Sequence, residues 1–257
     1  MGFDVVTLFP EMIGNYAHYG VLSRALERRL MSLATWNPRD YSDKSQRQVD
    51  DRPYGGGAGM VMMAEPLQKA IRAARAQQAP GCRVIYMSPQ GETLTQSAIN
   101  KMATASGLIL IAGRYKGIDE RVVECEVDEE WSLGDYVISG GELAAMVVIE
   151  AVSRHIPGVL GNEDSALEDS FMNGLLDCPH YTRPVEFEHR QVPEVLIGGH
   201  HESIRRWRLK QALGRTLRRR PDLLGRRTFS REERELLNDY ANEYGLVLTR
   251  MKDHENE

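Results

Sequence analysis

The sequence predicts an α/β protein, with an N-terminal part built on a parallel sheet and a small, helical, basic C-terminal part. Three observations carry that prediction. Strand-like apolar segments alternate with helical ones through the first 157 residues. Three strand ends, near residues 87, 112 and 138, run into turns of Ser, Pro or Gly, as at the ligand-binding edge of a parallel sheet. From residue 177 the pattern changes to arginine-rich helical segments.

Composition narrows the class. A chain of 257 residues suits one large or two modest domains. Its 42% hydrophobic and 27% charged content is that of an ordinary soluble protein. No apolar run approaches the ~18 residues of a membrane span, so no membrane partner is expected. Cys82, Cys125 and Cys178 are scattered, odd in number and without a CxxC pair. That argues against a zinc site or a disulfide framework and for a reduced, cytoplasmic setting.

The elements follow in order. The opening MGFDVVTLFPEM carries an early acid and no basic leader, so residues 3–9 read as a buried strand rather than a signal peptide. Val21 to Leu30 is helical, with Val21, Leu22, Ala25 and Leu26 on one side. Leu33 to Trp36 forms a second strand. Residues 39–54 are polar and turn-rich and lead into DRPYGGGAGM (51–60), whose glycines allow close backbone approach. No Gly-Lys-Ser/Thr follows, so this is not a P-loop. It is either a flexible loop or one that closes over a bulky substrate. Pro66 lies in the first turn of a helix running to about Gln78, apolar at Leu67, Ala70, Ile71 and Ala74. Residues 83–87 (RVIYM) form a strand ending in the turn Ser88-Pro89-Gln90-Gly91. A helix over 95–105 leads to the strongly buried strand 107–112 (GLILIA), which ends in Gly113-Arg114-Tyr115.

The chain is organised around residues 131–157. Gly134 and Asp135 make a tight turn, and Tyr136 to Ser139 form a short strand. Gly140 and Gly141 then permit crowded backbone angles. A helix runs from Glu142 through Leu143, Met146, Val147 and Ile149 to Pro157. Glu142 suits the positive end of its dipole. Strand, glycines and helix in succession set backbone amides against a ligand in many α/β folds, although two glycines also serve a plain sharp turn.

Residues 157–164 (PGVLGNED) break the pattern. The following SALEDSF offers Glu168 and Asp169, acids that suit either a mobile linker or a general base delivered by a loop. DCPHYTRP (177–184) reads as an extended docking segment. Residues 203–220 are helical, with Leu209, Leu213 and Leu217 at four-residue spacing and Ile204 and Trp207 beside them. Ser230 and Glu233 make a capping box for a last helix reaching about Tyr244. His200 and His201 are adjacent and cannot both face one metal from a helix face. Between residues 203 and 231, eleven Arg and Lys stand against one acid, Asp222, in a chain whose net charge is −5. This basic segment points to a polyanion, and the dominance of arginine to phosphate. A solvated helix whose arginines pair with acids is the plainer alternative.

With these residues in hand, the chain resembles the TrmD family of knotted bacterial tRNA (guanine-N1)-methyltransferases. The resemblance rests on DxxTLFPEM (4–12), DRPYGGGAGMVM (51–62), SPQG (88–91), GRYxGIDERV (113–122) and SLGDYVxSGGEL (132–143). It continues through EDSF (168–171), LLDCPHYTRP (175–184) and RRWRLKQxLGRT (205–216).

That resemblance implies a deep trefoil knot in a cofactor-binding domain over 1–160, an interdomain linker or active-site loop over 161–176, and a helical tRNA-binding domain over 177–257. It implies a homodimer with the active site shared between subunits, and S-adenosylmethionine as cofactor. By matching motif, the cofactor contacts are Tyr86, Ser88, Pro89, Gly113, Tyr115, Leu133, Gly134, Asp135, Tyr136, Val137, Ile138, Gly140 and Gly141. The implied reaction methylates N1 of the guanine immediately 3′ of the tRNA anticodon. Asp169 matches the general base, and Arg154 the residue that stabilises charge developing on the guanine. Magnesium dependence is also implied, though no metal-ligand spacing shows it. Two positions depart from the family pattern: Lys116 stands where Glu is usual, and Ala144 where Pro is usual.

Other readings are a knotted methyltransferase acting on another RNA atom, such as a ribose hydroxyl, and a non-catalytic RNA-binding or assembly protein. The latter accounts for the basic segment but not for the ligand-like turns. A nucleotide-dependent dehydrogenase lacks its GxGxxG fingerprint here.

Overall fold

The computed structural model describes residues 1–161, 169–225 and 227–246. The chain divides into two compact units, residues 1–163 and 164–257. The first is a mixed α/β unit around a parallel sheet. Its elements are β1 (Gly2–Val6), α1 (Pro10–Ala17), α2 (Gly20–Glu27), β2 (Ser32–Trp36), β3 (Asp50–Asp51), β4 (Val61–Met62) and α3 (Ala64–Gln77). Then come β5 (Arg83–Thr93), α4 (Gln96–Met102), β6 (Gly107–Ala112), α5 (Glu120–Glu126), β7 (Glu129–Ser132) and α6 (Glu142–Ser153).

Five strands pair in the order β2-β1-β6-β5-β7, all parallel. A central parallel strand is covered on both faces, so it needs apolar side chains at every position. The GLILIA of β6 meets that demand and is wholly buried. Alternation then sorts the core. Leu108, Leu110 and Ala112 join Val5 and Ile85 beneath α6, while Ile109 and Ile111 join Val6 and Val84 beneath α3.

Several expectations change. The strand expected at Tyr136 to Ser139 is an irregular loop, and the fifth strand is the more polar β7 just before it. Tyr136 and Val137 have strand-like side chains, but their backbone finds no partner strand and both are exposed. The Ser88-Pro89-Gln90-Gly91 turn lies inside a longer β5, where Met87 and Glu92 both register with Trp131 and the residues between form a bulge. The helix from Glu142 stops at Ser153, short of Pro157. Helices α1 and α5 were not anticipated.

The second unit holds a two-stranded ladder, β8 (Glu186–Phe187) with β9 (Arg190–Gln191), and the helices α7 (Glu194–Ile197), α8 (His201–Arg219), α9 (Pro221–Leu224) and α10 (Arg231–Glu243). Leu213 of α8, Leu224, and Leu236 and Leu237 of α10 close a small core with Leu175. The capping box forms as expected: Glu233 N donates to Ser230 Oγ at 3.1 Å, and Ser230 N to the Glu233 carboxylate at 2.8 Å. Residues 176–182 have no regular secondary structure. His200 caps α8 through its ring, Nδ1 accepting from Ser203 N at 3.5 Å.

Candidate active site

In the first unit, the chain passes from β6 back across β5 to β7, so the carboxyl ends of β6 and β7 flank the bulge in β5. Open α/β sheets place ligands at such a reversal. A cavity of about 320 Å³ lies there, within the range of small-molecule sites. Its wall comes from the β5 bulge, the loop after β6 and the loop between β7 and α6.

Backbone hydrogen bonds hold these loops. Gly141 N donates to Gly113 O at 2.9 Å, and Arg114 forms an isolated bridge with Gly140. The glycine-rich segment supports the same wall: Lys116 N donates to Met60 O at 3.0 Å, and Met62 N to Gly117 O at 2.9 Å. The two glycines before α6 are needed because another chain segment lies against them. A β-carbon on Gly141 would sit 2.7 Å from Ala112 Cα, and one on Gly140 would sit 2.2 Å from Arg114 Nε.

Most of the residues singled out in the sequence meet at this wall: Tyr86, Ser88, Pro89, Gly113, Tyr115, Leu133, Tyr136, Val137, Ile138, Gly140 and Gly141. Gly134 and Asp135 belong to the same loop without contributing to the wall; the Gly134 carbonyl instead accepts from Ser132 Oγ and Tyr136 N. The structure adds residues outside the expected contact set, among them Lys116, which the sequence marked only as a departure from the family pattern. Arg114 and Lys116 flank Tyr115, and Trp131 and Ser132 close the β7 side. Their proximity to named positions was the available signal. No carboxylate lines the wall among the described residues. Arg114 is paired with Glu142 at 2.9 Å, whereas Lys116 has no carboxylate partner among the described residues. Burial pushes the Tyr86 phenol up to about 12, so it stays a neutral hydroxyl.

The two expected catalytic side chains belong to different units. Arg154 is the half-buried C-cap of α6. Asp169 is exposed and opens the described part of the second unit, its carbonyl accepting from Met172 N at 3.3 Å. Glu168 and the loop before it lie outside the described residues.

Magnesium takes hard oxygen ligands in octahedral geometry, one or two of them carboxylates. The one three-donor cluster among the described residues is Asp177, Cys178 and His180. Asp177 accepts from Cys178 N and lies 2.7 Å from His180 Nε2. Burial, with Asp177 alongside, pushes the Cys178 thiol up to about 11, so it stays protonated. A thiol and an imidazole do not suit a hard cation, and no magnesium role follows from this set.

The basic segment divides in two. Arg205 and Arg206 both reach Glu232 at 2.6 Å, Arg220 pairs with Asp222, and Arg227 pairs with Glu233. Arg208, Arg215, Arg218 and Arg219 have no ion pair among the described residues. On α8, positions 208, 215 and 219 fall on one stripe.

Comparison with known proteins shows the family. The sequence profile of the family described as "tRNA (Guanine-1)-methyltransferase TrmD" matches residues 1–226. A tRNA (guanine-N(1)-)-methyltransferase of Methylococcus capsulatus is 58% identical over 250 residues, covering 97% of this chain and 100% of the relative. Proteins of the same description from Klebsiella pneumoniae and Pseudomonas putida are 55% and 57% identical, over 95% and 93% of this chain and 96% of each relative. The chain belongs to the TrmD family of tRNA (guanine-1)-methyltransferases.

Proposed function

We propose that this protein is an S-adenosylmethionine-dependent tRNA methyltransferase acting on N1 of the guanine immediately 3′ of the anticodon. The observation that carries this is the cavity between the β5 bulge and the ends of β6 and β7, in a chain that belongs to this family. The wall suits the methyl donor chemically. It offers apolar surface from Leu133 and Ile138 for a purine, and backbone polar groups at Gly113 and Gly140 for its edge. When bound, S-adenosylmethionine supplies an electrophilic methyl on a cationic sulfur.

The chain's own residues then have a proton and a charge to manage. Guanine N1 carries a proton and is a poor nucleophile until it leaves. The Asp169 carboxylate accepts that proton as general base. Negative charge spreads over the purine ring and O6, where the Arg154 guanidinium donates to it. The stripe of Arg208, Arg215 and Arg219 contacts tRNA phosphates.

Three further features belong to this reading. The close passage of residues 140–141 against 112–114 supports a knot of the first domain. Domain limits at 1–160 and 177–257, joined by an active-site loop over 161–176, follow the family pattern. Leu143 and Val147 lie one turn apart on α6 and are 53% and 46% exposed, on a helix whose other apolar residues are buried apart from the half-buried Ala151. That open apolar stripe supports a homodimer in which a second copy covers it. The substrate places the enzyme in the cytoplasm.

The test is methyl transfer from labelled S-adenosylmethionine to two tRNA transcripts, one with guanine and one with adenine 3′ of the anticodon. Label only on guanine, mapped to N1, is expected. Equal labelling of both would move the reaction to another atom, such as a ribose hydroxyl.

A further inference from the structure

A buried carboxylate must be matched by donors, or its desolvation is uncompensated. Glu142 is 1% exposed, and both its oxygens are occupied. One accepts from Thr7 Oγ1 at 2.9 Å, the other from Arg114 Nε at 2.9 Å. Thr7 is itself fully buried, and its hydroxyl oxygen accepts from Phe9 N at 2.9 Å. The Arg114 guanidinium lies over the Phe9 ring, 4.3 Å from its centroid, and Nη1 reaches Ser139 O at 3.5 Å. One arginine thus ties the end of β1, the loop after β6 and the start of α6 to the segment 139–140 that roofs the cavity. Gly140 has no side chain where the guanidinium passes.

We infer that Arg114 is a positioning residue: buried Glu142, itself held by Thr7, grips its guanidinium, which fixes residues 139–140 over the cavity and so sets methyl-donor affinity without entering the transfer step. This rests on reading the cavity as the donor site. Neither Glu142 nor Thr7 lines that cavity, so substituting either leaves direct donor contacts in place. The inference predicts a change in donor KM rather than in kcat.

The experiment uses the full-length protein with Glu142→Gln and Thr7→Val, each first shown to be folded by thermal melting. Three quantities are read: amide hydrogen exchange of residues 139–141 without ligand, S-adenosylmethionine affinity by calorimetry, and donor KM with kcat on tRNA. For Glu142→Gln the expected result is faster exchange at 139–141 and a donor Kd and KM raised about tenfold, with kcat at saturating donor within about twofold of wild type. A folded Glu142→Gln protein with wild-type exchange, or with wild-type donor KM, overturns the inference. If Glu142→Gln does not fold, Thr7→Val decides. It keeps the ion pair and removes one hydroxyl, and it should shift exchange and affinity the same way by about threefold. Unchanged values in that variant overturn the inference equally. Failure of the wild-type protein to bind S-adenosylmethionine would instead overturn the donor reading, leaving the exchange measurement to decide whether Arg114 holds the loop.

Discussion

Gly214 on α8 lies against the ring of Tyr240 on α10, so closely that a β-carbon at 214 would meet three ring atoms at 2.3 Å. Two opposing effects meet there. Glycine inside a helix costs about 1 kcal/mol relative to alanine, so Gly214→Ala gains that much in propensity. Overpacking a well-filled contact costs about 1–3 kcal/mol. Tyr240 is 3% exposed and has little room to withdraw, so the clash should win. Denaturant melts of Gly214→Ala should show a net loss of up to about 2 kcal/mol. Pairing it with Tyr240→Leu should recover part of that loss.

Gly141 makes a corresponding contact at the cavity, but with backbone on the other side. A methyl there meets Ala112 Cα and Gly113 N, which cannot rotate away. Gly141→Ala should therefore move the loop before α6 and weaken S-adenosylmethionine binding about tenfold or more, while β6 stays buried. Calorimetry on folded protein checks this. Unaltered affinity would show that the loop absorbs the change without disturbing the wall.

Much of this architecture was legible in the sequence because burial and chemistry coincided there. GLILIA could hardly be anything other than a central strand, and the turns after residues 87 and 112 mark two sides of the cavity. The third side was displaced. Strand β7 is EEWS, an edge strand held by pairing to β5, with Trp131 Nε1 donating to Glu129 Oε2 at 2.8 Å. Its side chains do not look like a strand, whereas those of Tyr136 and Val137 do and lie in an exposed loop. Helix α5 was hidden for a related reason. Its Glu126 is buried, and the Gln68, Arg72 and Arg75 partners on α3 make that tolerable. Glu142 suited a helix dipole in the sequence. Its partners Thr7 and Arg114 are 135 and 28 residues away, and no local pattern records such pairs.

The pH dependence of the second unit should pass through Glu233. Burial alone would raise its carboxyl, but the Arg227 guanidinium at 2.5 Å and the Ser230 amide outweigh that and hold it below the ordinary 4.5. A carboxylate whose folded pKa is depressed stabilises the fold above its unfolded value, and the contribution is lost as pH falls through the folded value. Stability should therefore be fully present at neutral pH and decline below about pH 4.5. Glu233→Gln keeps the capping-box geometry and removes the charge. Urea melts should show it about 1–2 kcal/mol less stable at pH 7, with a shallower decline on acidification. An unchanged acid slope would remove Glu233 from the account.

Asp169 and Arg154 are assigned different tasks, and the variants should separate them. Asp169→Asn keeps the size of the side chain but cannot take the N1 proton. It should lose methyl transfer by at least about a hundredfold, the lower end for general base catalysis, while S-adenosylmethionine binding stays near wild type. Arg154→Lys keeps a charge but loses the planar donor pair, so its loss should be smaller. Single-turnover kinetics with labelled donor measure both. Transfer by Asp169→Asn at the wild-type rate would sink the base assignment.

The divided basic segment makes the last prediction quantitative. Each phosphate contact releases counterions, so removing one contact should lower the slope of log K against log salt by about 0.9 in magnitude for duplex regions. Arg208, Arg215 and Arg219 share a stripe of α8 and carry no ion pair among the described residues. Arg205 and Arg206 are engaged with Glu232 and would have to break that pairing to reach a phosphate. Single Arg→Ala changes at 208, 215 and 219 should therefore each weaken tRNA binding and flatten its salt dependence by about one unit. The same change at 205 or 206 should move the salt slope much less and cost mainly stability of the α8–α10 pairing. Filter binding from low to physiological salt separates the two groups. Equal slope changes in both would mean that the charge of the whole segment, rather than the unpaired stripe, engages the RNA.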